Sequence, residues 1–76
     1  METPKTTYAV ELLSTNGVGY SRNSMRFATR EEAKQIKDEV LRRMHRIFKD
    51  ARVVMTNDPV NSKIENGKLV KLELTA

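Results

Sequence analysis

The sequence predicts a small two-layer α+β domain: one α-helix packed on an antiparallel sheet, in the order β-β-α-β-β with a C-terminal hairpin. Two runs carry that expectation. Thr29-Arg30-Glu31-Glu32 reads as a helix start, and Glu65-Asn66-Gly67-Lys68 reads as a tight hairpin turn. The segments before Thr29 and from Arg52 onward read as strands, whereas the segment that follows the helix start repeats every three or four residues.

Residues 1–5 are expected to be a disordered tail, leaving 6–76 as a single domain. Thr6 to Ser14 alternates, with Tyr8, Val10 and Leu12 on one side and Thr7, Ala9, Glu11 and Leu13 on the other. Thr15-Asn16-Gly17 turns the chain, and a second strand is expected over residues 24–28 with Met25 and Phe27 inward; Val18-Gly19-Tyr20 can extend the hairpin, and Ser21-Arg22-Asn23 reads as a bulge or loop. Thr29 suits an N-cap, its hydroxyl taking the Glu32 amide while the Glu32 carboxylate reaches back. The helix is expected to run from Arg30 to Phe48, with Ala33, Ile36, Val40, Met44, Ile47 and Phe48 as its apolar stripe. Asp38 with Arg42 and Glu39 with Arg43 form i,i+4 pairs in the favourable order. Acids at the start and cations at the end suit the helix dipole.

Residues 52–56 are β-branched and predict a third strand, followed by the turn Asn57-Asp58-Pro59-Val60-Asn61. Residues 62–65 and 68–74 then flank Asn66-Gly67. With the third strand beside the first, the spatial order becomes 2-1-3-4.

Composition bounds the class. The chain has 76 residues, 38% of them apolar and 32% charged, with no cysteine, so disulfides and thiolate metal sites are excluded. The core is thin, which makes self-association a source of further stability. The start of the chain is polar and no long apolar run follows, so neither a signal peptide nor a membrane span is expected, and the cytoplasm is the expected compartment. Formal charge is +4, and much of the excess lies in Arg42, Arg43, Arg46 and Lys49.

Little in the sequence points to catalysis. His45, the only histidine, sits among arginines, with no partner at a meaningful spacing, and reads as a solvated helix residue. Gly17-Val18-Gly19 lacks the following helix that a phosphate loop requires. Asn57, Asp58 and Asn61 offer oxygens but only one carboxylate, which suits a turn rather than a calcium site. No catalytic residue, cofactor, metal or small-molecule site is therefore expected, and the chain reads as non-enzymatic.

Two surfaces are candidates for binding. On a sheet covered by the helix on one face, Ala9, Leu13, Val54, Ile64 and Leu69 point away from it, and an apolar second face marks a protein interface, including one with a second copy. A shifted register or a hairpin curled over the sheet would cover these residues instead. The alternative is nucleic-acid binding, by phosphate contacts from Arg42, Arg43, Arg46 and Lys49 on the C-terminal half of the helix.

Several segments carry a resemblance: Tyr8-Ala9-Val10-Glu11, Phe27-Ala28-Thr29-Arg30-Glu31-Glu32-Ala33, Arg52-Val53-Val54 and Asp58-Pro59-Val60-Asn61. Through them the chain resembles small uncharacterised proteins of bacteriophages and bacteria, cyanobacteria included. That resemblance implies a β-β-α-β-β domain and brings no activity with it. The Phe-x-Thr-x-Glu-Glu-Ala segment alone is similar to strand-to-helix junctions in arm-type DNA-binding domains of integrases. Those read DNA with a sheet rich in Arg, Lys and aromatics, where this chain has Thr7, Ala9, Glu11 and Leu13.

Overall fold

The computed structural model describes residues 6–72. The tail expected over residues 1–5, and the end of the last strand, expected to reach residue 74, lie outside them. The elements are β1 (Thr7–Ser14), β2 (Tyr20–Arg22), α1 (Arg30–Arg43), β3 (Phe48–Thr56), β4 (Ser62–Glu65) and β5 (Lys68–Lys71). This is an α+β fold with one helix on an antiparallel sheet. The sheet has the order β2-β1-β3, and β4-β5 forms a separate hairpin.

The helix begins where its cap residue is. The Glu32 N–H donates to Thr29 Oγ1 at 3.3 Å, and that hydroxyl donates to Glu32 Oε1 at 2.9 Å. The second carboxylate oxygen of Glu32 does not return to the Thr29 amide. It accepts the Ile64 N–H at 2.8 Å, tying the helix start to β4.

The helix ends a full turn earlier than its periodicity predicts. Met44 is the C-cap, its N–H on the Val40 carbonyl at 2.7 Å, and residues 45–47 form a turn. The reason lies outside the segment. The Thr15 N–H binds the Ile47 carbonyl at 2.9 Å, and Phe48 and Asp50 to Thr56 pair with the whole of β1. A nine-residue strand therefore takes residues that could equally have continued the apolar stripe. Ile47 is left 51% exposed.

Inward-facing residues follow the alternation. Val10, Phe27, Ala33, Ile36 and Ala51 form the buried cluster, with Tyr8, Leu12, Met25, Val40, Leu41, Val53 and Ile64 packed on it. Val10 and Phe27 have no exposed surface, and burying each contributes about 2 kcal/mol.

The second strand is displaced from the expected residues 24–28 to Tyr20–Arg22, because Asn23 breaks the ladder. Its N–H still reaches the Val10 carbonyl at 3.0 Å, while its side chain accepts the Met25 N–H at 3.2 Å and lifts the chain away. Phe27 returns to β1 through a two-way bridge with Tyr8, at 2.9 and 2.8 Å.

The hairpin does not continue the sheet beyond β3, so the order 2-1-3-4 is replaced. After β3 the Asp58-Pro59-Val60-Asn61 segment crosses the end of β1, where the Thr7 hydroxyl donates to the Asp58 carbonyl at 2.8 Å. It arrives beside residues 24–26 on the other side. The Asn61 and Ser62 N–H groups bind the Arg26 carbonyl at 3.0 and 3.1 Å. The Asn61 side chain accepts the Arg26 N–H at 2.7 Å and donates to the Ser24 carbonyl at 2.8 Å. The β4–β5 turn itself is as expected: Asn66 and Gly67 have φ of 52° and 77°, the left-handed pair of a two-residue hairpin.

Asn61→Ala removes these two bonds and the one its Oδ1 accepts from the Ser62 hydroxyl. It is expected to cost about 3 kcal/mol at roughly 1 kcal/mol per bond. Urea unfolding checks this, and a cost below about 1 kcal/mol would mean that water replaces the carboxamide.

Candidate protein-binding groove

The crossing of the Asp58–Asn61 segment creates a groove between α1 and the β4–β5 hairpin. Its floor is Met25, Ile36, Val40 and Ile64, and Leu69 forms one wall. Gln35, Glu39, Arg43 and Lys68 stand around it. The volume is about 410 Å³, within the range of sites that take apolar ligands or side chains. Helical spacing accounts for one side: residues 35, 36, 39, 40 and 43 share a face. Hairpin register accounts for the other, since Ile64 and Leu69 are directly paired and so point the same way.

This placement corrects the expected helix-free interface. Ile64 lies on the helix side, packed on the core, and Leu69, 42% exposed, faces the same groove. Ala9 has no exposed surface and cannot be an interface residue in this fold. Leu13 and Val54 do lie on the helix-free face, both half-buried, opposite Asp50 and Ala9 respectively. The structure brings Ile64 and Leu69 together and separates them from the other three.

What occupies the helix-free face beside Leu13 and Val54 is a charged network. Glu11, its side chain 12% exposed, takes Arg52 on one carboxylate oxygen and Arg22 on the other, with Nε distances of 2.8 and 3.2 Å. The Arg52 guanidinium lies 3.9 Å from the Tyr20 ring centre, and the Tyr20 hydroxyl donates to the Asp50 carboxylate. These contacts set the ionisation. The hydrogen bond from Arg52 holds the Glu11 carboxyl below its usual 4.5, desolvation opposes this, and Arg22 adds to the lowering. The shared bond pushes the Tyr20 phenol above 10.0 and the Asp50 carboxyl below 3.8.

The cationic candidates fall on the helix, the following turn and β3. Arg42 and Arg43, with side chains 70% and 72% exposed, both pair with Glu39, so the expected Asp38–Arg42 pair is replaced. Arg46 lies in the turn after the helix, where its carbonyl accepts the Thr15 hydroxyl at 3.4 Å, and Lys49 lies in β3. Both are exposed. His45 is likewise an exposed turn residue rather than a helical one.

Gln35, Glu39 and Lys68 carried no signal in the sequence, because the two walls meet only through the crossing. Met25 was marked by its inward alternation. Among the described residues, no three His, Cys, Asp or Glu side chains gather where they could hold a metal ion. Among the described residues no helix is long and apolar enough to cross a membrane. Compared with known proteins, the chain matches no family model, no curated protein and no solved structure.

Because the folded pKa of Glu11 is lowered, its contribution to stability is complete above about 4.5 and is lost as pH falls through the folded value. Glu11→Gln is expected to lower stability at neutral pH by on the order of 1 kcal/mol, exposure of the two guanidinium groups screening the remainder. The gap to wild type should close in acid. Urea unfolding along a pH series checks this, and a gap that is constant with pH would refute it.

Proposed function

We propose that the protein is a small non-enzymatic interaction module, and that its groove takes the apolar anchor residues of a partner protein. The observation that carries this reading is the 410 Å³ groove with an apolar floor and a charged margin. Such a site fits one or two large side chains of an amphipathic segment, the arrangement by which helical peptides dock. Lys68 and the positive charge left where Arg42 and Arg43 share Glu39 favour anchors flanked by acidic residues.

Two carboxylates of the helix-free face suit ion pairing better than acid–base chemistry. Glu11 and Asp50 are held ionised by Arg52 and Tyr20 respectively, which makes them weak bases and poor proton donors near neutrality.

Selection from a random peptide library tests the proposal directly. The expected winners carry two apolar residues spaced three or four apart beside Asp or Glu, with Kd on the order of 10 μM. Their amide shift changes should centre on Ile36, Val40, Ile64 and Leu69, and Leu69→Lys should weaken binding about tenfold, while leaving urea stability nearly unchanged. Shift changes confined to other surfaces would reject the groove. Tight, salt-sensitive binding of a short DNA or RNA that is lost in Arg42→Ala/Arg43→Ala/Arg46→Ala would favour the nucleic-acid alternative.

A further inference from the structure

The outer edge of β3 offers a second surface, on the side of the sheet away from the groove. β3 is nine residues long and pairs with β1 on one side; among the described residues no strand pairs with its other side. An edge of this length templates pairing unless something opposes it. Here the exposed charges Lys49, Asp50 and Arg52 decide which pairing is allowed.

The run Ile47-Phe48-Lys49-Asp50-Ala51-Arg52-Val53-Val54-Met55 is self-complementary about Ala51. Set two copies antiparallel with Ala51 opposite Ala51, and Asp50 of each lies across from Arg52 of the other. Beyond Asp50 the ladder is bulged at Lys49 and Ile47 lies in the turn before β3, so the register brings Phe48 and Ile47 near Val54 and Met55 of the other copy without strict pairing. Ile47 and Met55 are 51% and 64% exposed in the single chain, so the apolar surface they leave in water would be covered. Neighbouring registers that keep both helices on one face do worse. Centring on Arg52 sets that cation against itself, and centring on Asp50 does the same to the acid.

We propose that the protein associates with a second copy of itself through the β3 edges, in the register centred on Ala51. The product is one antiparallel sheet in the order β2-β1-β3-β3-β1-β2 with both helices on the same side. Since α1 covers β1 and β3, and strands lie ~4.8 Å apart, the two helices would run about 10 Å apart, an ordinary helix-packing distance. The groove lies on the far side of each protomer and stays open, so this dimer stands or falls independently of peptide binding.

Sedimentation equilibrium of the full chain gives the first reading. A dimer of twice the 8.7 kDa chain mass is expected to form with rising concentration. Asp50→Lys, which leaves the Glu11–Arg52 pair in place, should weaken it at least about tenfold by setting cations against each other, and Ile47→Asp should do so independently. The register is read with cysteine, of which the chain has none. Oxidation of Asp50→Cys mixed with Arg52→Cys should yield the mixed disulfide dimer well above either like pair. A strict monomer up to about 1 mM would overturn the proposal. So would a dimer indifferent to Asp50→Lys and Ile47→Asp, or cysteine pairing without preference for the mixed product.

Discussion

The crossing of the Asp58–Asn61 segment over the end of β1, locked by one carboxamide, is the constraint on which the rest of the structure depends. Residues 24–26 leave the ladder of β1 at Asn23, so their backbone groups need partners elsewhere. Asn61 supplies them in the manner of a strand neighbour, taking the Arg26 N–H and giving its own amide to the Ser24 carbonyl. Arg26 completes the clamp: its guanidinium reaches the carbonyls of Asn23 and Met25 and, through Nε, the Asp58 carboxylate at 2.8 Å. Thr7 and Thr56, both buried, bond to each other through their hydroxyls beneath the crossing.

Both proposed binding surfaces follow from that one placement. A hairpin carried across β1 stands beside the helix with a gap between them, and Met25, Ile36, Val40 and Ile64 line the gap. The same displacement takes the hairpin away from β3, so among the described residues no strand pairs with its outer edge. The contact from Glu32 to the Ile64 N–H fixes the hairpin to the helix start, which sets the width of the groove at one end.

Charge is arranged by neutralisation in place rather than as a field. Glu11 answers two arginines on the sheet face and Glu39 answers two on the helix, so each cluster keeps one positive charge of the net +4. The face opposite the helix is therefore stabilised by ion pairs and a cation–π contact around Leu13, Tyr20 and Val54, rather than by an apolar patch.

Local chemistry in the sequence determined the helix start at Thr29, the left-handed turn at Asn66-Gly67, the inward set Tyr8, Val10, Phe27, Ile36 and Val53, and with them the α+β class. Each of these is decided within four residues by capping, by φ, or by alternation. Tertiary structure alone decided where the helix stops, which residues form the second strand, and on which side of β1 the hairpin lands. Met44, Ile47 and Phe48 satisfy a helical stripe as well as a strand, and only the unpaired length of β1 chooses between them. Ile64 and Leu69 alternate identically whichever neighbour they meet, so their place in the groove was set by Asn61, which has the local sequence of a turn and acts as a bridge between segments 35 residues apart.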